Sequence, residues 1–324
     1  MSRFEQIKEP ISTEFEVFKQ KFDTSLQSSN PLLSEVINFI KQRRGKMMRP
    51  MLTLLMAKLC GEIGNSTYHA AISLELLHTA SLVHDDVVDE SDKRRGQSSV
   101  NAIYDNKVSV LVGDYMLSTS LANAAITGDI RMVDLVSRLG QMLSEGEIIQ
   151  LSNTDASDFS EDVYFEIIRK KTAVLFATAA QAGATSAGST DEMAENARMF
   201  GELLGIAFQI KDDIFDYYPS EVLGKPTGND MREGKLTLPA LYVLNKLNDK
   251  EMKNLALKIR ALEATSEEIA LFIDYVKNNG GIKYATDVMI DYRNKALDLI
   301  PQTASQDLKD ALTAYIDYVI ERKK

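Results

Sequence analysis

The sequence contains few of the residues that break helices or cross-link a fold. Its 324 residues include 17 glycines, 7 prolines and no tryptophan, so little in it interrupts a helix. Cys60 is the only cysteine, which excludes an intramolecular disulfide and a cysteine-based zinc site. Because so little cysteine is typical of a reducing compartment, we expect a cytoplasmic protein.

Long apolar runs and an excess of basic residues are also missing. No window offers about 18 consecutive apolar residues, so we expect no membrane span. The first ten residues contain no apolar stretch of the kind found in a signal peptide. Lysine and arginine number 37 against 47 aspartates and glutamates, a net charge of −10. This acidic balance argues against a nucleic-acid partner, although it leaves room for a local basic pocket.

Apolar residues recur with helical spacing along nearly the whole chain, and hydrophobic residues make up 44% of it. The pattern predicts helices over 51–59, 68–88, 109–125, 129–151, 162–182, 191–218 and 236–247. The longest stretch predicted to be non-helical is 219–234, and loops of that length tend to be functional. Strand-like alternation is not evident. We therefore predict an all-α fold, one domain over residues 1–324, built as a single large helical bundle.

Two clusters of aspartates share the pattern DDxxD. They consist of Asp85, Asp86 and Asp89 and of Asp212, Asp213 and Asp216. On a helix this spacing places three carboxylates within about 100° of one another. We expect both clusters to lie inside apolar helices rather than at helix starts, so capping does not explain them.

Three like charges within one helical turn repel each other, and a hard divalent cation relieves this repulsion. Mg²⁺ takes oxygen ligands and is typically shared with substrate phosphates. A solvated acidic face is the alternative interpretation of a single cluster. Two copies of one pattern, each within an apolar helix, favour a metal site.

Basic residues accompany the two acidic clusters along the chain. They are Lys46, Arg49, Arg94, Arg95, Lys170, Lys171, Lys225 and Lys235. Each alone is typical of a solvated surface. Together with the aspartates they indicate a site for Mg²⁺ and diphosphate, in which arginine binds phosphate oxygens bidentately. His78 lies on the same helix face as Asp85, two turns earlier, and a structural core histidine is the alternative interpretation.

In this combination the sequence resembles the trans (all-E) polyprenyl diphosphate synthase family, and within it the long-chain octaprenyl and heptaprenyl types. The matching segments are GKMMRP at 45–50, LLHTASLVHDDVVDESDKRRG at 76–96, VLVGDYMLS at 110–118, KTAVLFATAAQAGA at 171–184, GIAFQIKDDIFDY at 205–217 and LGKPTGNDMREGKLTLP at 223–239. They cover almost the whole chain in the family's order. The resemblance implies helices around a central active-site cavity, as in isoprenoid synthases, and a homodimer.

The resemblance also implies a role for each matching residue. All six aspartates would hold Mg²⁺, three ions per site when substrate is bound. The allylic diphosphate would be bound by Arg94, Lys171, Lys225 and Lys235. Isopentenyl diphosphate would be bound by Lys46, Arg49, His78 and Arg95. Thr172 and Gln209 would stabilise positive charge beside the reacting carbons, and the basic end at 322–324 resembles a tail that closes over the isopentenyl site.

The implied reaction is prenyl transfer without a protein nucleophile. The allylic C–O bond ionises, the alkene of isopentenyl diphosphate attacks the cation, and a proton is lost to the released diphosphate. In this family, bulky residues four and five positions before the first cluster limit the product. Here these positions hold Ser81 and Ala80, both small, which predicts a chain of roughly C35 to C45 for quinone side chains. A short-chain farnesyl or geranylgeranyl (C15–C20) synthase is the alternative.

Other classes explain fewer of these features. A metal-dependent phosphohydrolase of the HD type would use the dipeptide His84–Asp85, with His69 and His78 as further ligands, but it leaves the second aspartate cluster and GKMMRP unexplained. A di-iron bundle needs two ExxH motifs, and only Glu75–His78 has that spacing. A terpene cyclase would replace the second cluster with an Asn/Ser/Glu triad, and an inactive partner subunit would not be expected to keep both clusters.

Overall fold

A computed structural model of the chain describes residues 2–94, 96–152, 158–219 and 227–321. Regular structure in these residues is helical apart from one hairpin of two short strands, so the predicted all-α fold is confirmed. Within the same ranges, no helix has the length and apolar character needed to cross a bilayer.

The chain divides into two compact units, each built from separate chain segments. Unit 1 comprises Met1–Gly140, Leu175–Gly201 and Leu299–Tyr315. Unit 2 comprises Gln141–Val174, Glu202–Asp298 and Ile316–Lys324. The single domain expected from the sequence stays a prediction.

The elements up to residue 152 are seven helices, one 3₁₀ turn and the hairpin. They are α1 (Arg3–Lys8), the 3₁₀ turn Glu9–Ile11, α2 (Ser12–Ser25), α3 (Pro31–Gln42), α4 (Met48–Cys60), α5 (Asn65–Val88), β1 (Lys93–Arg94), β2 (Gln97–Ser98), α6 (Val100–Ile126) and α7 (Ile130–Ser152). The strands pair antiparallel, with Arg94 opposite Gln97. Helix α6 is kinked at Asp105, whose φ of 71° is not helical.

The described elements after residue 158 are also helical. They are α8 (Glu161–Ile168), the π turn Arg169–Ala173, α9 (Val174–Ser186), α10 (Asp191–Asp216), α11 (Asn229–Arg232), α12 (Leu238–Leu247), α13 (Lys250–Arg260), α14 (Ser266–Asn278), α15 (Gly281–Asp298) and α16 (Gln306–Glu321). The prediction that 219–234 is non-helical is wrong at α11, because Asp216 accepts the N–H groups of Asn229 and Asp230 and thereby caps a short helix.

In unit 1, α5 packs against α4 and α6, and α4 is buried on nearly all sides as its apolar run predicts. Helix α9 approaches α4 closely. The Thr53 hydroxyl donates to the Ala179 carbonyl at 3.0 Å, and Gly183 has no side chain to separate the backbones. A Cβ at Gly183 would lie 2.3 Å from the Thr53 carbonyl oxygen.

Gly183→Ala is therefore expected to lower the free energy of unfolding by about 1–3 kcal/mol, because α4 or α9 must shift to admit the methyl group. Gly140→Ala on α7 is the matched control, since a Cβ there meets nothing within 4 Å. It is expected to raise the free energy of unfolding by up to about 1 kcal/mol through helix propensity. Urea denaturation of both variants measures the difference, and equal stabilities would contradict the close approach.

In unit 2, α12 packs against α15. The segment that leads into α8 is held by two side chains. The buried guanidinium of Arg260 donates to the Asp158 carbonyl at 2.7 Å and lies over the Phe159 ring, and Asn245 donates to the Phe159 carbonyl at 2.8 Å. The Ser160 side chain then accepts from Val163 N–H and begins the helix. These contacts fix the residue at which α8 starts, and therefore also the positions of the side chains along this helix.

Candidate active site

The first aspartate cluster lies at the end of α5 in unit 1. Asp85 and Asp86 are in its last turn, and Asp89 follows as its C-cap. Glu90 has a φ of 47°, and Ser91 N–H donates to the Asp86 carbonyl at 2.9 Å, so the chain turns out of the helix here. The expectation that this cluster lies inside a helix therefore holds for its first two members and is wrong for Asp89.

Asp86 and Arg94 form an ion pair that ties the hairpin to α5. The Asp86 side chain is buried, and its Oδ1 accepts from Arg94 Nε at 2.8 Å. Burial raises the pKa of Asp86, and the Arg94 charge opposes that shift. Asp85 is half-buried and Asp89 is exposed, so these two carboxylates lie nearer to solvent.

The hairpin that carries Arg94 is anchored on both sides. Ser99 donates its hydroxyl to the Ser91 carbonyl at 2.6 Å, and Arg43 donates to the Ser98 carbonyl at 2.8 Å while its guanidinium lies over the Phe39 ring. Arg95, predicted to bind isopentenyl diphosphate, lies outside the described residues.

Three other predicted substrate ligands also belong to unit 1. Lys46 lies two residues before the start of α4, Arg49 lies in its first turn with the guanidinium 5.0 Å from the Phe176 ring centre, and His78 is buried on α5. Sequence reasoning missed Tyr315 on α16, whose hydroxyl donates to the Met48 carbonyl at 2.9 Å and anchors the start of α4. No local pattern marks this tyrosine.

The second cluster lies in unit 2, inside α10 as expected and at its C-terminal end. Asp213 is buried, and both of its carboxylate oxygens accept hydrogen bonds. Oδ2 accepts from the Tyr164 hydroxyl at 2.5 Å, and Oδ1 accepts from Gln209 Nε2 at 2.9 Å. Gln209 Oε1 accepts in turn from the Thr172 hydroxyl at 2.7 Å. Gln209 and Thr172, predicted to act together, are therefore brought together.

Asp216 and Asp230 complete an acidic group in unit 2. The carboxylate of Asp216 accepts from the backbone N–H groups of Asn229 and Asp230 at 2.9 and 3.0 Å. Burial raises the pKa of Asp213 to about 7 and that of Asp230 well above its usual range, and the neighbouring carboxylates add to both shifts. Sequence reasoning missed Asp230, although it lies within the matching segment at 223–239. Asp212 is half-buried.

Tyr164 is the buried tyrosine of α8 that contacts this acidic group. Burial, with Asp213 nearby, raises its pKa well above the usual value. The hydroxyl is therefore neutral and acts as a hydrogen-bond donor to Asp213. Nothing in the sequence pattern pointed to this residue.

The predicted lysines of unit 2 are paired with carboxylates. Lys171, in the π turn, forms an ion pair with Glu147 on α7 and donates to Gln150 at 3.3 Å. Lys235 forms an ion pair with Glu233 at 2.7 Å. Helix α7 comes close to the π turn, since a Cβ at Gly146 would lie 2.9 Å from that of Lys170. Lys225 and the basic end at 322–324 lie outside the described residues.

The two small residues predicted to control product length differ in their surroundings. Ala80 has no exposed surface, whereas Ser81 is half-buried and its hydroxyl donates to the His78 carbonyl at 2.9 Å. Of the two positions, Ser81 is therefore the one whose side chain is partly accessible.

The position of both clusters suits a divalent cation. A helix carries partial negative charge at its C-terminal end, so three carboxylates there add to a potential that is already negative. Among the described residues, no group of three or more His, Cys, Asp or Glu side chains converges closely enough to hold a metal by itself. An ion bound here would need further oxygens from water or from a phosphate, which is how Mg²⁺ is usually bound.

Comparison with known proteins identifies the family. The sequence model of the polyprenyl synthetase family matches residues 30–276. The chain is 33% identical over 322 residues to the octaprenyl diphosphate synthase of Haemophilus influenzae, and the match covers 98% of this chain and 97% of that protein. A solved geranylgeranyl pyrophosphate synthase from Bacteroides thetaiotaomicron is 50% identical, with a TM-score of 0.87 and 99% of each chain covered. A polyprenyl synthase from Caulobacter crescentus, complexed with calcium and isoprenyl diphosphate, is 30% identical, with a TM-score of 0.90 and 99% and 98% covered.

The chain therefore belongs to the polyprenyl synthetase family. The predicted resemblance, the isoprenoid synthase type of fold and the assignment as a prenyltransferase are confirmed. Because the chain belongs to this family, the alternative assignment as an HD-type phosphohydrolase is set aside.

Proposed function

We propose that the chain is a Mg²⁺-dependent synthase that condenses isopentenyl diphosphate with an allylic diphosphate and makes an all-trans polyprenyl diphosphate longer than C20. The observation that carries this proposal is the pair of aspartate clusters at the C-terminal ends of α5 and α10 in a chain of this family. The octaprenyl relative and the Caulobacter structure with calcium and isoprenyl diphosphate support it. The homodimer, the cytoplasmic location and the number of three ions stay predictions.

The six aspartates divide into two groups by their surroundings. Asp86, Asp213 and Asp216 have internal hydrogen-bond donors, so we assign them to orienting the site and adding negative charge. Asp85, Asp89 and Asp212 are less buried, and we assign them to direct metal binding. When bound, Mg²⁺ supplies electrostatic stabilisation of the departing diphosphate.

The basic residues bind the two diphosphates in this proposal. Arg94, Lys171, Lys225 and Lys235 bind the allylic diphosphate, and Lys46, Arg49, His78 and Arg95 bind isopentenyl diphosphate. The carboxylate partners of Lys171 and Lys235 hold these ammonium groups near the site before substrate arrives. When substrate binds, its phosphate oxygens replace the carboxylate oxygens as partners of each ammonium group. Each lysine is therefore taken from an existing ion pair rather than from bulk water.

Thr172 and Gln209 supply dipoles rather than an acid or a base. The Thr172 hydroxyl donates a hydrogen bond to Gln209, so the Thr172 oxygen presents its lone pairs to a developing allylic cation. Fixed dipoles stabilise such charge without reorganising during the reaction. The proton lost at the end passes to the released diphosphate, and the site must exclude water that would quench the cation.

Product length separates the proposal from its alternative. The small side chain at Ser81 and the octaprenyl relative favour a long chain, whereas the similarity to the Bacteroides geranylgeranyl pyrophosphate synthase favours a short one. Incubation of the enzyme with farnesyl and isopentenyl diphosphates, followed by sizing of the products, decides between them. A product confined to C15 or C20 would overturn the long-chain assignment.

Ser81→Phe is expected to shorten the product by several isoprene units, because the ring fills space that the hydroxyl leaves open. Thr79→Phe is the matched control, since Thr79 is another half-buried hydroxyl residue of α5 and points about 160° away from Ser81. It should leave the product distribution unchanged. Ala80→Phe is less informative, because overpacking a fully buried position costs about 1–3 kcal/mol of stability. Unchanged products from Ser81→Phe would remove Ser81 from the path of the chain.

A further inference from the structure

We propose that Tyr164 is a positioning residue for prenyl transfer: its hydroxyl fixes the Asp213 carboxylate, which sets the orientation of the Gln209 amide and the Thr172 hydroxyl. This inference rests on the proposed function, in which those two groups face the reacting carbons. It adds a residue of α8 that the sequence motifs do not include.

Tyr164 is held rigidly enough to act in this way. The residue is 7% exposed, and its ring makes an edge contact with Phe165 at 5.2 Å between centroids. The start of α8 is fixed by the Ser160 cap and by the contacts of the preceding segment with Arg260. The hydroxyl therefore reaches Asp213 at 2.5 Å from a fixed direction.

Asp213 sets the polarity of the hydrogen bonds beyond it. Oδ1 of Asp213 accepts from Gln209 Nε2 at 2.9 Å, so the NH₂ group of the amide is the one that faces the carboxylate. The carbonyl oxygen of the same amide then faces Thr172, whose hydroxyl must be the donor. The hydroxyl proton of Thr172 therefore points toward Gln209 and away from the substrate. The lone pairs of the Thr172 oxygen then face the substrate.

Tyr164 and Gln209 both donate hydrogen bonds to the Asp213 carboxylate. Without the Tyr164 hydroxyl, only the Gln209 amide remains of these two donors. The carboxylate can then rotate about its χ2 torsion, which is broad for Asp. Rotation releases the Gln209 amide, which can flip and reverse the polarity at Thr172. The predicted effect falls on the rate of ionisation rather than on the binding of diphosphate.

The test compares Tyr164→Phe with Tyr284→Phe. Both variants keep the ring and remove a hydroxyl that donates to a carboxylate, since Tyr284 donates to Glu161 of the same helix α8 at 2.8 Å. Tyr164→Phe is expected to lower kcat about tenfold while KM for isopentenyl diphosphate changes less than about twofold. Tyr284→Phe is expected to keep both parameters within about twofold of the wild type.

Two further measurements distinguish positioning from a general loss of structure. Calorimetric binding of inorganic diphosphate with Mg²⁺ should stay within about threefold in Tyr164→Phe, because the residue is not among the proposed diphosphate ligands. In a Gln209→Ala background, Tyr164→Phe should cost less than about twofold more, because the group that it positions is absent. Multiplicative losses, or diphosphate binding that weakens along with kcat, would overturn the inference. A wild-type enzyme without polyprenyl product would instead refute the proposed function.

Discussion

Asp85→Asn and Asp212→Asn are each expected to lower kcat/KM for prenyl transfer by about 10³-fold. Each substitution keeps the shape of the side chain and removes one negative charge from the solvent-facing part of a cluster. The loss should exceed that of a single hydrogen bond, because the carboxylate, the metal and the leaving diphosphate act together. Release of diphosphate in the presence of both substrates and Mg²⁺ measures it.

Glu195→Gln is the matched control for Asp212→Asn. Glu195 is an exposed acid of the same helix α10, paired with Arg198, and a surface ion pair of this kind contributes little. Its activity should stay within about twofold of the wild type. If Asp85→Asn or Asp212→Asn retained activity comparable to this control, the assignment of that carboxylate to direct metal binding would fail.

Removal of divalent metal is expected to abolish prenyl transfer, with a loss of at least about 10³-fold that added Mg²⁺ reverses. The clusters at the ends of α5 and α10 are negative, and the diphosphates are also negative. Without a cation between them they repel, so the affinity for inorganic diphosphate should fall as well. Chelation by EDTA followed by product assay and calorimetry measures both effects.

A potassium salt at matched ionic strength is the control for this experiment, because general screening differs from coordination. It should not restore activity. Product formation that persists after chelation, with the metal content checked by elemental analysis, would contradict a metal-dependent site.

The helices were predictable because burial along a helix repeats at a spacing that the sequence displays directly. Helix α4 is an apolar run in the sequence and is buried on nearly all sides. The ends of helices were less predictable, because they depend on single backbone conformations such as that of Glu90. The π turn at Arg169–Ala173 was also missed, since inserting one residue into a helical turn hardly changes the hydrophobic pattern.

The candidate site was predictable where its residues are neighbours in sequence. The DDxxD clusters are local, so their spacing alone indicates shared chemistry. Tyr164 and Asp213 are 49 positions apart, and Tyr315 and Met48 are 267 apart. Such pairs depend on how helices pack, and periodicity within one segment contains no information about that packing.

The base of the connection between α10 and α11 is closed at one residue. Asp216 accepts from three consecutive backbone N–H groups, those of Gly228, Asn229 and Asp230, through its carbonyl and its two carboxylate oxygens. The entropy of closing a loop grows only slowly with its length, and here the closure is provided by these bonds. Loss of the Asp216 side chain would therefore remove two of the three bonds that close this connection together with a carboxylate of the second cluster, so the geometry of the connection and the charge of the cluster depend on one residue.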